Sequence, residues 1–180
     1  MKLTCRDIND YIKKSYTEYD VFIESVIGKN ISSAVLPDYL DDITLIEANA
    51  FYGCANLALT SLPEGVTSIG NHAFNGCTNL ALTSLPEGVT SIGSSAFYVC
   101  RNLALTSLPE GVTSIGNSAF YDCRNLNTIT FKGTPTSIGT NAFGSCTNLT
   151  TINVPWSEGE VANAPWGATK ATINYNYTGE

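Results

Sequence analysis

Five cysteines, at positions 54, 77, 100, 123 and 146, stand 23 residues apart, and they are the side chains of this chain best suited to chemistry. Thiols can pair as disulfides, ligate a metal or act as nucleophiles, and each use demands its own spacing. A disulfide needs converging Cβ atoms. Cysteines at one position of a regular repeat stand about 5 Å apart with parallel side chains, which does not supply that convergence. Metal ligation needs a close pair such as Cys-x-x-Cys or a neighbouring histidine; no such pair occurs, and the one histidine, His72, stands alone. His72 occupies a place held by Ser95, Ser118 and Asn141 in the other copies, which reads as a solvated substitution. Glycine-rich phosphate loops, a nucleophile elbow and a carboxylate pair within one unit are all missing from the sequence. Glu64, Glu87 and Glu110 recur at one corner and read as a solvated edge of like charges. The expectation is therefore free, buried thiols packed as small hydrophobes, with no catalytic residue, metal or cofactor.

The spacing that argues against a thiol site defines the architecture. Self-similarity at a short fixed period marks a stack of supersecondary units, each too small to bury its apolar side without its neighbours. With each cysteine counted as position 0, apolar residues recur at +3 (Leu57, Leu80, Leu103, Leu126, Leu149) and +8 (Leu62, Leu85, Leu108, Phe131, Val154). They recur again at +12 (Val66, Val89, Val112), at +15 (Ile69, Ile92, Ile115, Ile138) and as Ala-Phe at +19 and +20. No long run follows the helical period, and Pro-Glu-Gly at 63, 86 and 109 would break a helix. One turn of a flattened coil per repeat follows, with a short parallel strand near +3 to +8, a Pro-Gly corner and a return leg. Asparagine at +2 is suited to satisfying backbone groups at the turn. Glycine at +16 (Gly70, Gly93, Gly116, Gly139) is suited to a left-handed corner.

These ladders resemble the BspA-like leucine-rich repeat family, whose units run roughly Cys-x-x-Leu, Leu-Pro-x-x-Val-x-x-Ile and Ala-Phe-x-x-Cys. The resemblance covers roughly residues 36 to 154. It implies an α/β solenoid, a right-handed stack with short parallel strands. It also implies a binding or adhesion scaffold of the kind found on the surfaces of host-associated bacteria and some protists. One departure stands out. The family carries an aliphatic residue at +6, as Ile129 and Ile152 do, whereas three central units place Leu59, Leu82 and Leu105 at +5 and threonine at +6. Either a local shift keeps these leucines inside, the favoured reading because +3 and +5 already alternate, or they form an exposed docking stripe.

Three regions follow: a helical N-terminal cap over 1–35, repeats over 36–154 and a short β C-terminal cap over 155–180. In the first, Ile8, Tyr11, Ile12 and Tyr16 lie on one helical face, and no apolar run resembles a signal peptide or a membrane span. In the last, Ile173, Tyr175 and Tyr177 alternate with polar residues. Trp156 and Trp166 read as lids over the final coil, or alternatively as platforms for a sugar.

The formal net charge is −7, with nine acidic against five basic residues in positions 1–54 but four against three in positions 55–150. No basic block is present, so neither nucleic-acid binding nor membrane insertion is expected. Recognition on the nearly neutral repeat surface would rest on hydrogen bonds, aromatic rings and shape. Between otherwise identical units, positions +1, +18, +21 and +22 vary. Tyr98, Tyr121, Arg101, Arg124 and Asp122 fall there on adjacent coils and form the expected contact surface, since Tyr and Arg dominate binding hot spots. The expected role is a noncatalytic module for a protein or glycoprotein ligand. The alternative is a structural assembly subunit, of a phage or a cell-surface component, that self-associates through the stack. A location at the cell surface rests on the resemblance alone.

Overall fold

The structure, a computed structural model, describes residues 43–179 together with the backbone of Lys2–Leu3. The strands are β1 (Lys2–Leu3), β2 (Leu45–Ile46), β3 (Ser68–Ile69), β4 (Ser91–Ile92), β5 (Ser107–Leu108), β6 (Ser114–Ile115), β7 (Thr128–Phe131), β8 (Ser137–Ile138), β9 (Thr151–Asn153) and β10 (Thr172–Asn174). They form two parallel sheets, β1-β2-β3-β4-β6-β8 and β10-β9-β7-β5. Register advances one repeat per strand: Ile69 pairs with Ile92, Ile92 with Ile115, and Ile115 with Ile138. The chain is thus a β-solenoid in which each coil lies on the equivalent residues of the one before.

The sheet that runs through the stack is built from the Ser-Ile pairs at +14 and +15, not from the +3 to +8 leg where the periodicity placed it. Two-residue strands leave no alternation long enough to be seen in sequence. The +5 to +8 leg does become a second sheet, but its first strand is β5.

The α component of the expected α/β class finds no helix among the described residues. The reason is the bonding of the Ala-Phe turn. Ala73, Asn75 and Cys77 donate their N–H groups three residues back, to Gly70, His72 and Phe74. The intervening His72, Phe74 and Gly76 donate to Ser94, Ala96 and Tyr98 of the next coil. Alternate amides therefore leave the coil, and no helical ladder can propagate although every one of these donors is satisfied. Left-handed backbone recurs at +18 (Asn49, His72, Ser95, Ser118, Asn141) and +22 (Gly53, Gly76, Val99, Asp122, Ser145). The +16 glycines are not left-handed, which corrects their expected role. A Cβ on Gly93 would stand 2.5 Å from the Asn71 backbone nitrogen, so glycine is needed there to let coils approach. The helical cap expected over residues 1–35 lies outside the described residues except for β1, which pairs in parallel with β2.

Side chains inside the coils form columns. Phe51, Phe74, Phe97, Phe120 and Phe143 stack at 5.1, 5.4, 5.4 and 5.2 Å between ring centroids. The expected leucine, valine and isoleucine ladders are all buried. Leu59, Leu82 and Leu105 are buried as well, so no leucine stripe is exposed. The +2 asparagines are exposed, and two of them reach back to the preceding coil: Asn102 Nδ2 donates to Asn79 Oδ1 at 3.5 Å, and Asn125 Nδ2 donates to the Asn102 carbonyl at 3.3 Å. At the C-terminal end β10 extends the second sheet, and Trp156 and Trp166 are 3% and 1% exposed. Both rings pack around Phe131, at 5.2 and 6.1 Å. Faces closed in this way cannot stack on a sugar, so the platform reading of the tryptophans falls and the lid reading stands.

Candidate functional site

The cysteine column is structural. The Sγ atoms of Cys77, Cys100, Cys123 and Cys146 each donate to the phenylalanine carbonyl 26 residues earlier, at 3.0 to 3.1 Å. Burial pushes all four thiols far above their ordinary range, that of Cys146 up to about 12. A thiolate, the reactive form, is thereby suppressed. Cys54, at the start of the column, is half-buried and in no disulfide. Cys5 lies outside the described residues.

Polar and aromatic groups gather instead at the corner after the Ala-Phe turn, where Tyr98, Tyr121 and Asp122 precede the next cysteine and Arg101 and Arg124 directly follow it. The rings of Tyr98 and Tyr121 stack at 5.0 Å with 7° between planes. Beside them, Asp122 is buried between two arginines from successive coils. Arg101 Nε donates to Asp122 Oδ2 at 3.1 Å, and Arg124 Nε donates to Oδ1 at 2.6 Å. Burial by itself would raise the Asp122 carboxyl, but hydrogen bonds from Arg124 and Arg101 outweigh it and hold the group below the usual carboxylate range. A depressed folded-state pKa means the clamp is whole above the ordinary aspartate value, about 3.9, and is lost only as pH falls through the lower folded value. Both guanidinium groups remain about half exposed, so the clamp fixes their direction without hiding them.

Backbone conformation marks the same corner. Position +22 is left-handed in every described copy, and glycine holds it in the first two. Val99 adopts φ 61 there, an outlier for a β-branched residue that costs on the order of 1–2 kcal/mol. Asp122 at φ 58 is better tolerated, because aspartate reaches this region more readily.

Neighbours of the patch that sequence reasoning left out are Tyr52, His72 and Asn75. Tyr52 is 61% exposed and meets His72 edge to face at 6.4 Å. His72 is half-buried, not a solvated substitution, and its Nδ1 accepts from Asn75 Nδ2 at 3.2 Å. Tyr52 occupies the same +21 column as Tyr98, which was the signal available in the sequence. At the Pro-Glu-Gly corner the three glutamates are exposed, as expected for a solvated edge, and Lys132 pairs with Glu87 across 45 residues.

A β-solenoid of in-register coils with leucine, isoleucine and phenylalanine columns defines a protein of the leucine-rich repeat class. More narrowly, the chain belongs to the BspA-type leucine-rich repeat family, whose region matches residues 44–164 in six copies. Among solved structures it is similar to a leucine-rich repeat protein of T. pallidum, at 31% identity and TM-score 0.63 over 81% of this chain and 69% of that one. A leucine-rich cell surface protein of Faecalibacterium prausnitzii A2-165 is 30% identical, with TM-score 0.51 over 73% of this chain and 41% of that one. A leucine-rich repeat protein of Bacteroides ovatus shares the fold at 23% identity and TM-score 0.59, over 84% of this chain and 44% of that one. This chain therefore spans less than half the length of the latter two. No curated protein matches it. Among the described residues, no helix is long and apolar enough to cross a membrane.

Proposed function

We propose that this chain is a noncatalytic binding module, of the adhesion type and working at a cell surface, that engages a protein or glycoprotein through Tyr98, Tyr121, Arg101, Arg124 and Asp122. The observation that carries this is a patch held in one arrangement, with half-buried tyrosines beside two half-exposed guanidinium groups. Ring stacking and the Arg–Asp–Arg clamp hold four large side chains in place before any partner arrives, which lowers the ordering cost of binding. The left-handed Val99 between Tyr98 and Arg101 supports the same reading, because backbone strain tends to persist at functional sites. The domain division that accompanies it is a cap over 1–35, repeats over 36–154 and a closing cap over 155–180.

The test is an array of purified matrix and cell-surface glycoproteins probed with wild-type protein and with a Tyr121→Ser, Arg124→Ala variant. A partner bound at least about tenfold more weakly by the variant supports the patch. Equal binding of every partner found would remove it. A second reading, a structural subunit that self-associates, is favoured by β10, which among the described residues pairs with β9 on one side only. Sedimentation giving a strict monomer at high concentration would sink that reading.

A further inference from the structure

We propose that the corner column contains a slot for one aromatic side chain of an acidic partner segment, located over Asn75 between Tyr52 and Tyr98. The inference rests on the protein-binding reading above and names where a partner residue seats. Position +21 is occupied in turn by Tyr52, Asn75, Tyr98, Tyr121 and Gly144. Backbone bonds keep this column in register: Gly53 N–H to Asn75 O at 2.7 Å, Gly76 N–H to Tyr98 O at 2.8 Å, and Val99 N–H to Tyr121 O at 2.8 Å. One coil step therefore places two rings face to face at 5.0 Å, as Tyr98 and Tyr121 show.

Rings run together at one end of the column, and Asn75 interrupts them at the other. Tyr121 lies against Gly144, where an added Cβ would come within 2.7 Å of Tyr121 Cδ2. Tyr98 has one face on Tyr121, and the next place in the column on its other side belongs to the shorter side chain of Asn75. Tyr52 lies two coil steps from Tyr98, roughly 10 Å, which is the room one intervening ring requires. Its own ring does not complete the stack, because it lies edge-on to His72 at 65°. The Asn75 amide is held to His72 Nδ1 and forms the floor. A ring entering here would repeat the Tyr98–Tyr121 stack on the other face of Tyr98.

Charge selects the neighbours of that ring. Arg101 and Arg124 share the single carboxylate of Asp122, which leaves one excess positive charge on half-exposed groups. A carboxylate flanking the aromatic residue complements it, whereas a basic or neutral segment gains nothing there.

The test is an NMR titration of the full chain with N-acetyl-Glu-Trp-Glu amide. Controls are the Glu-Leu-Glu and Lys-Trp-Lys analogues and methyl β-galactoside. The slot predicts saturable shifts confined to Tyr52, His72, Asn75, Tyr98 and the arginines beside it, Arg101 foremost, with each control weaker. Tyr52→Ala should weaken binding about threefold to tenfold, the range of an aromatic contact. Asn75→Tyr puts into the gap the residue that its neighbours in the column already carry, and should weaken binding at least tenfold while the fold stays intact. Unsaturable or scattered shifts, undiminished binding by Asn75→Tyr, or tighter binding of the galactoside would overturn the proposal. A glycoprotein from the array that loses affinity for the Tyr121→Ser, Arg124→Ala variant but keeps it for Asn75→Tyr would overturn the slot alone and leave the patch standing.

Discussion

The central and final coils carry the same interior columns, yet only the final ones build a substantial second sheet, and the difference traces to one displaced side chain. In the coil that begins at Cys77, Leu80, Leu82 and Leu85 face inward, while Thr83 and Ser84 both face out. In the coil that begins at Cys123, Leu126, Ile129 and Phe131 face inward, and Asn127 and Thr128 are the outward pair. Two successive outward residues interrupt strand alternation wherever they fall. Placed before the leg they leave Thr128–Phe131 free to pair as β7, and placed within it they leave no more than the two-residue β5. Coil-to-coil stacking thus does not depend on the second sheet. Phenylalanine, cysteine and Ser-Ile columns hold both regions alike, and the +5 or +6 leg is a variation laid over them.

The largest effect should come from what the two regions share. With thiol pKa values raised by burial, stability is whole below the unfolded thiol value, about 8.5, and falls as pH rises toward the folded value. Each buried thiol contributes a loss of about 1.4 kcal/mol per pH unit in that window, so the column should cost several kcal/mol by pH 10. Urea denaturation at pH 8 and pH 10 checks this, and an unchanged midpoint would contradict it. Next in size, Phe97→Ala in the stacked column should destabilise by about 3–5 kcal/mol. Phe143→Ala, where Phe131 also packs at 6.1 Å, should cost no less, and the same denaturation curves compare the two.

A swap at the displaced position tests the comparison itself. Leu105→Thr alone should cost about 2–4 kcal/mol, by emptying a buried site. Adding Thr106→Ile should recover more than half, because the inward residue moves to +6 in line with Ile129. Hydrogen exchange should then slow at residues 104–107 as the second sheet extends. Recovery without that protection would separate side-chain burial from strand formation. The smallest effect is expected at Val99, where Val99→Asn should raise stability by about 1 kcal/mol through relief of the left-handed backbone.

The columns were legible because a fixed period projects directly onto a stack: Cys77 and Cys100 could only be equivalent. The continuous sheet was not, since a Ser-Ile pair carries too little alternation to announce a strand. Gly93 was misread for a related reason. Local preference suggests a turn, whereas the demand comes from the backbone of Asn71 one coil away. The five patch residues could be found by subtracting what the repeat holds constant. That Asp122 sits buried between arginines of two coils could not, because the turn that sets its depth is left-handed at a position where most residues are disfavoured. Tyr52 is less legible, because no cysteine stands 21 residues before it to open its unit. Lys132 with Glu87 joins residues two coils apart, beyond the nearest-neighbour picture a repeat suggests.

The interior column is tested most directly by thiol accessibility in a Cys5→Ser, Cys54→Ser variant, whose remaining cysteines are the four bonded to phenylalanine carbonyls. With Ellman's reagent at pH 8, none of the four should react in the folded protein, and all should react at once in denaturant. Rapid labelling of any of them in the folded state would contradict the stack.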